Sequence, residues 1–365
     1  MRIGIIGTRG IPNHYGGFEQ FSEYLSVFLA EKNHQIYVYN SSNHLYQEKT
    51  YKGVHIVHCY DPEHKIGTIG QFIYDFNCIL HSRKMNYDII LQLGYTSSSV
   101  WSFLFPKKSV IITNMDGLEW QRSKYSSLTK KFLKFAEKLA TKHSDFLISD
   151  SIGIQNYIKN KYQKNSQFIA YGGRVFETPN NTVLKKFSVK EFEYNMLIAR
   201  LEPENNIHVI LEGITKSSTE NIFLIVGNYK ASKYGREIYN RYKNNDKIKF
   251  LGGIYDINIL NNLRYFSKLY FHGHSVGGTN PSLLEAMASK ALIIAHNNPY
   301  NKYILEEEAY YFKNSLDIQY FVENINKNEP QESVKLDENL QKIKSFYNYD
   351  TINQQYLSFF NECIK

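Results

Sequence analysis

Short apolar runs alternate with longer stretches of helical spacing along the first half of the chain. Runs at 3–6, 36–39, 55–58, 89–93, 110–113 and 146–149 have the length and β-branched character of buried strands. Between them, 18–32, 70–83, 128–142 and 153–160 carry apolar residues at the spacing of a helix buried on one face. A polar stretch at 174–193, containing Pro179-Asn180-Asn181, reads as a linker. A second alternation follows, with strands at 196–199, 222–226, 248–250, 269–271 and 292–295, and a helix at 207–215. This pattern predicts the α/β class, with parallel sheets wrapped by helices. Ligands of such sheets sit at the carboxyl ends of the strands, so the loops after strands are where chemistry is expected.

The richest of these loops runs from Gly273 to Ala288. Gly277 and Gly278 permit positive φ and close approach of the backbone to a ligand. Thr279 and Asn280 suit a helix N-cap, and Pro281 suits the first helical position. A helix start favours an anion, and Glu285, one turn in, suits a ribose hydroxyl. The plain alternative is an ordinary capped helix. Arg200, just after the 196–199 run, can grip a phosphate in bidentate fashion. Its alternative is a surface salt bridge to Glu202 or Glu204. Asn205 and Asn206 close that loop. After 248–250, Gly252, Gly253 and Tyr255 can form a slot for a planar base with Tyr255 as a wall, or a simple turn before a helix.

In the first half, the loop after 3–6 holds Arg9, His14, Gly16 and Gly17. Its glycines do not fit GxGxxG and it is too long for that turn, which counts against a nicotinamide dehydrogenase. Gly16 and Gly17, just before a helix, can bring amides to a phosphate. After 110–113 come Asn114, Asp116 and Glu119, suited to sugar hydroxyls, with either acid able to act as a base. The alternative is an Asx-type turn at Asp116-Gly117 with Glu119 solvated.

Composition adds bounds. The chain has 365 residues, room for two domains. Its net charge of +8 favours anionic partners. Much of that charge lies in 122–142, where Lys131, Lys134, Lys138 and Lys142 form a stripe beside Leu128, Phe132, Phe135 and Leu139, with Glu137 the sole acid. This is a solvated helix face, or a surface for anionic lipid or a lipid-linked pyrophosphate. No nucleic-acid motif accompanies the charge. Cys59, Cys78 and Cys363 lack metal or redox spacing, which suits a reducing compartment. No signal-like segment or apolar run of membrane-spanning length occurs, so a cytoplasmic protein is expected, at most peripheral to the inner membrane.

Taken together, 6–12 (Ile-Gly-Thr-Arg-Gly-Ile-Pro), 15–19 (Tyr-Gly-Gly-Phe-Glu), 114–120 (Asn-Met-Asp-Gly-Leu-Glu-Trp), Arg200-Leu201-Glu202-Pro203-Glu204 and 272–288 resemble the family 4 retaining glycosyltransferases of the GT-B fold, and within them a bacterial rhamnosyltransferase subgroup. The resemblance implies two Rossmann-like domains with parallel sheets facing a central cleft. They would comprise 1–175 with a crossing helix from 345–365 on the acceptor side, and 176–344 on the nucleotide-sugar side. It implies transfer of a sugar, L-rhamnose from dTDP-rhamnose in the subgroup, without metal or other cofactor. The acceptor would be a saccharide, on a polyprenyl pyrophosphate lipid, in capsule, O-antigen or exopolysaccharide synthesis.

By the same resemblance Arg200 binds the diphosphate and Glu285 the ribose. Gly278, Thr279 and Asn280 offer amides to the phosphate, while Gly16 and Gly17 close over the donor. Asp116 orients or deprotonates the acceptor. Arg9, Glu119, Asn205 and Tyr255 complete the expected substrate contacts. Two departures stand out. Gly277 occupies the place of the family's sugar-contacting Glu, and Asn205 that of its Lys. Another hexosyltransferase, a sugar-nucleotide epimerase or phosphorylase on the same fold, and a non-catalytic lipid or polysaccharide binder are the competing readings.

Overall fold

The computed structural model describes residues 1–14, 16–122 and 125–365, so Tyr15 of the glycine loop and Ser123 and Lys124 of the basic run lie outside the described residues. The chain separates into two compact units, the first made of 1–121, 125–171 and 349–365 and the second built on 172–348.

The first unit holds an eight-stranded sheet. Its strands are β1 (Arg2–Ile6), β2 (Gln35–Ser41), β3 (Thr50–Tyr51), β4 (Val54–Cys59), β5 (Ile89–Leu93), β6 (Val110–Asn114), β7 (Phe146–Ser149) and β8 (Gln167–Phe168). They lie in the order β3-β4-β2-β1-β5-β6-β7-β8. Only the β3–β4 pair is antiparallel among the described strands of this sheet. Central strands such as β5 are buried at every position, which is why they read as unbroken apolar runs rather than alternations. The helix Tyr349–Cys363 belongs to this unit. Tyr349 stacks on Tyr24 with ring centroids 3.9 Å apart, and the Asn114 amide donates to the Tyr356 hydroxyl at 3.0 Å.

The second unit holds six parallel strands: β9 (Tyr194–Ile198), β10 (Ile222–Val226), β11 (Ile248–Gly252), β12 (Leu269–His272), β13 (Ile293–His296) and β14 (Tyr310–Phe312). Their order is β11-β10-β9-β12-β13-β14. The chain winds outward one way from β9, then returns to β12 and winds the other way. The loops after β9 and β12 therefore flank a topological switch point. One face of the sheet buries Leu197, Phe223, Phe271 and Ile294 against Ile210 and Ile214 of the helix Ile207–Lys216 and Ile318 of the helix Ser315–Asn324.

Three strands had no sequence signal. β3, β8 and β14 have two or three residues each, too few for a period to register. The polar stretch 174–193 is not a free linker either. Its Phe176 amide donates to Ala288 O at 3.1 Å and its Asn180 amide to Asn262 Oδ1 at 2.6 Å. Leu184 of the 3-10 turn Asn181–Phe187 is buried. The basic helix Ser127–His143 also differs from the pattern, since its inward face is Leu133, Ala136, Glu137, Ala140 and Thr141. Leu128 and Phe135 stand outward among the lysines.

Candidate functional site

The two loops at the switch point of the second unit are fastened to each other. Ser275 donates from both its amide (3.0 Å) and its hydroxyl (2.8 Å) to Glu204 O. The Asn206 side chain donates to Gly273 O at 2.8 Å. A Cβ on Gly273 would lie 2.1 Å from Asn205 O, so only glycine permits this approach. The β9 loop carrying Arg200 is thereby held against the β12 loop that runs into the helix Pro281–Ala288. Arg200 is exposed, and among the described residues its guanidinium makes no ion pair to Glu202 or Glu204. The surface salt-bridge alternative is thus absent.

Asn205 is turned inward. It is buried, and its side-chain amide donates to Arg200 O at 2.7 Å. It shapes the loop that presents Arg200, a different task from the expected substrate contact.

The helix Pro281–Ala288 starts as its sequence requires, with Asn280 as N-cap and Pro281 at the first turn. The first amides of the helix are already used. Pro281 has none, Ser282 donates to Asn280 Oδ1 at 2.9 Å, and Leu283 donates to Asn280 O at 3.0 Å. The helix dipole leaves its positive end at this start, next to the Gly277–Thr279 loop. Gly277 has φ +131° with open space around its missing Cβ, so conformation rather than room calls for glycine.

Glu285 is joined to a residue that sequence reasoning missed. Arg264, 1% exposed and carried by the helix Ile257–Tyr265, donates from Nη2 to Glu285 Oε2 at 2.5 Å. Its other contacts are Asn261 Oδ1 at 2.8 Å and Ser282 Oγ at 3.3 Å. Ser282 Oγ lies 2.9 Å from the Tyr270 hydroxyl. Arg264 lies four residues after buried Leu260 and next to Leu263, so its inward position was the signal available in the sequence.

A second unforeseen feature is a pair of stacked imidazoles, His272 and His274, with centroids 4.3 Å apart. Both His272 ring nitrogens and His274 Nδ1 lack hydrogen-bond partners among the described residues. Burial holds both rings well below the usual imidazole range, and the Arg200 charge adds to the lowering of His274. They stay neutral at physiological pH. Tyr255, the expected base wall, is 73% exposed beyond β11. Asp256 after it caps the next helix through the amides of Asn258 and Ile259.

In the first unit, the loop after β1 is organised around Glu19. This carboxylate is buried and accepts from the Thr8 hydroxyl (3.1 Å) and the Arg9 amide (2.8 Å). The Arg9 guanidinium makes a bidentate pair with Glu63, at 2.8 Å to Oε1 and 3.2 Å to Oε2 from Nη2 and Nε respectively. Its fork is committed to a carboxylate, which argues against a direct substrate grip. Gly16 is the N-cap of the helix Gly17–Glu31, with Gly17 its first residue.

After β6, Asp116 has φ +47°, a region Asp tolerates better than most residues. Its amide donates to Asn114 Oδ1 at 2.9 Å, so the Asx turn is made by Asn114, two residues before the expected place. Asn114 is therefore used on both ends and is not left for a sugar. The Tyr171 hydroxyl donates to Asp116 Oδ1 at 3.4 Å. Burial and the Asp116 charge raise the Tyr171 phenol well above its usual range, keeping it a donor. Glu119 begins the 3-10 turn Glu119–Gln121 and is half-buried.

Residues 183–344, which contain both fastened loops, Arg264 and Glu285, match the family model described as Glycosyl transferases group 1. Residues 1–174 match a second model, described as a domain of unknown function (DUF1972). No curated protein matches the chain.

Solved structures resemble it over nearly its full length. Sucrose-phosphate synthase from Thermosynechococcus elongatus has a TM-score of 0.78 at 15% identity, covering 99% of this chain and 98% of that one. Anabaena HepE in complex with UDP-glucose has a TM-score of 0.76 at 15% identity, covering 99% of each. A trehalose-phosphate synthase from Burkholderia xenovorans in complex with glucose-6-phosphate has a TM-score of 0.73 at 9% identity, covering 99% of this chain and 100% of that one. The fold is GT-B, as the sequence pattern and motifs implied. Arg200 lies in the loop after β9, and Gly277–Asn280 and Glu285 lie in the loop and helix after β12, so all stand beside the one switch point.

Proposed function

We propose that the chain transfers a sugar, with retention, from a nucleoside-diphosphate donor held by its glycosyl transferases group 1 domain to a saccharide acceptor. The observation that carries this reading is the fastening of the Arg200 loop to the Gly273–Ser275 loop at the switch point, beside a Glu285 fixed by Arg264. HepE was solved with UDP-glucose, which supports a nucleotide sugar as donor. In the reaction, the bond from the sugar C1 to the β-phosphate oxygen breaks. The acceptor oxygen bonds to C1 on the same face, and the acceptor proton passes to the departing diphosphate. Arg200 and the loop amides take up the charge that develops on the β-phosphate. Asp116 orients the acceptor hydroxyl.

The finer reading is L-rhamnose from dTDP-rhamnose, delivered to a lipid-linked saccharide. Its support is the resemblance of 272–288 to the rhamnosyl subgroup and Gly277 in place of a sugar-contacting carboxylate. The reading also holds that no divalent metal is needed, since Arg200 and the helix dipole supply positive potential. A donor panel tests all three levels. Denaturant unfolding with each nucleotide sugar at about 100 times its Kd is expected to show about 2.7 kcal/mol of stabilisation by ligands that bind the native state. A panel in which dTDP-rhamnose protects and supports transfer, unchanged by a chelator, is the expected result. Protection by UDP-glucose alone would move the donor assignment, and loss of transfer on chelation would remove the metal-free mechanism. No protection by any member would remove the transferase reading.

A further inference from the structure

The outer face of the helix Ser127–His143 is a single stripe, Leu128, Lys131, Phe135, Lys138 and Lys142, spaced three and four residues apart. Leu128 is 79% exposed and Phe135 52%. The helix packs on the 3-10 turn Ser99–Leu104, whose Phe103 is 68% exposed, and its Phe132 ring lies 5.7 Å from Phe72 of the helix Ile69–Ser82. That third element exposes Ile69. The turn is tied to it as well, since the Trp101 indole donates to Phe72 O at 2.9 Å.

Large apolar side chains thus protrude from three adjoining elements among lysines. The acids of these elements, Asp75 and Glu137, are both buried. Glu137 is consumed by the Trp120 indole, the Tyr157 and Tyr162 hydroxyls and the Lys161 amine. What remains outside carries one sign of charge, reinforced by exposed Lys107 and Lys108 just after the turn.

We propose that this face docks on an anionic lipid bilayer, with Leu128, Phe135 and Phe103 entering the headgroup–acyl boundary and Lys131, Lys138 and Lys142 pairing with lipid phosphates. Protruding aliphatic and aromatic groups need hydrocarbon, and the lysines need negative charge. An anionic membrane supplies both at once, whereas a nucleic acid supplies only the second. No helix is long and apolar enough to cross a membrane among the described residues, so the contact lies on the surface. The proposal stands apart from the glycosyl-transfer reading and survives its failure.

The test is flotation of the full chain with vesicles of phosphatidylcholine alone or with phosphatidylglycerol, at low and high salt. Binding to the anionic vesicles, weakened by salt and absent on the neutral ones, is expected. Leu128→Ser with Phe135→Ser should lower the vesicle-binding constant by about 100-fold, since each large apolar side chain adds roughly tenfold on burial. Lys131→Gln with Lys138→Gln should lower it at low salt. Both pairs are exposed and should melt like the parent and respond to nucleotide as it does. Equal binding to both vesicle types, no binding, or anionic binding indifferent to the serine pair would overturn the proposal. So would tighter binding to a DNA duplex, unaffected by the serine pair.

Discussion

Arg200→Ala is expected to cut transfer by about 100-fold or more, the usual cost of removing one donor aimed at developing charge. The loss should fall mainly on turnover, because the charge on the β-phosphate grows as the bond to the sugar breaks. The fold should be untouched. Arg200 is exposed and makes no ion pair to Glu202 or Glu204 among the described residues, while Asn205 holds its backbone, not its guanidinium. Arg200→Lys should recover only part of the rate, because an ammonium cannot reproduce a bidentate fork. Asp116→Asn offers the contrast: donor affinity stays, and transfer falls. Steady-state kinetics with donor titration separate the two, and near-normal turnover by the alanine variant would remove the phosphate role of Arg200.

Arg264→Met is the second large effect. It leaves the Glu285 carboxylate without its guanidinium in a place where Arg264 is 1% exposed and the Glu285 side chain 15%. Breaking such a pair from one side costs about 3–5 kcal/mol. Replacing both partners by apolar groups of similar size is often neutral or stabilising, so Arg264→Met with Glu285→Leu should recover most of the stability. It should not recover nucleotide binding, because the carboxylate proposed to meet the ribose is gone. Urea unfolding and nucleotide titration of the single and double variants check both halves. A double variant that binds nucleotide like the parent would sink the ribose role of Glu285.

The parts of the molecule visible in the sequence are those whose signal is local. Buried parallel strands such as 89–93 and 222–226 are continuous apolar runs, and the structure gives them the same limits. Turn chemistry was equally local. Asn280-Pro281 starts its helix where cap preferences place it, and Gly277 adopts the positive φ its neighbours leave to it. Pairings across the chain were not visible. Arg264 meets Glu285 from 21 residues away, and Arg9 meets Glu63 from 54, and both depend on how helices settle on the sheets. Asn205 was expected to be a substrate contact because it stands where the resembling family has its Lys. Close approach of Gly273 turns it inward instead, a constraint that exists only after β9 and β12 pair. The basic helix shows the reverse error of scale. Leu128 and Phe135 keep helical spacing with the core residues, yet the face that packs on the 3-10 turns Ser99–Leu104 and Glu119–Gln121 is rotated away from them.

The central claim is that the loops after β9 and β12 seat a nucleoside diphosphate. Hydrogen–deuterium exchange of the intact chain, with and without saturating nucleoside diphosphate, tests it most directly. The account predicts slowed exchange at 199–206 and 273–286, lost in Arg200→Ala at the same ligand concentration. Unchanged exchange in both segments, or protection confined to other parts of the chain, would contradict it.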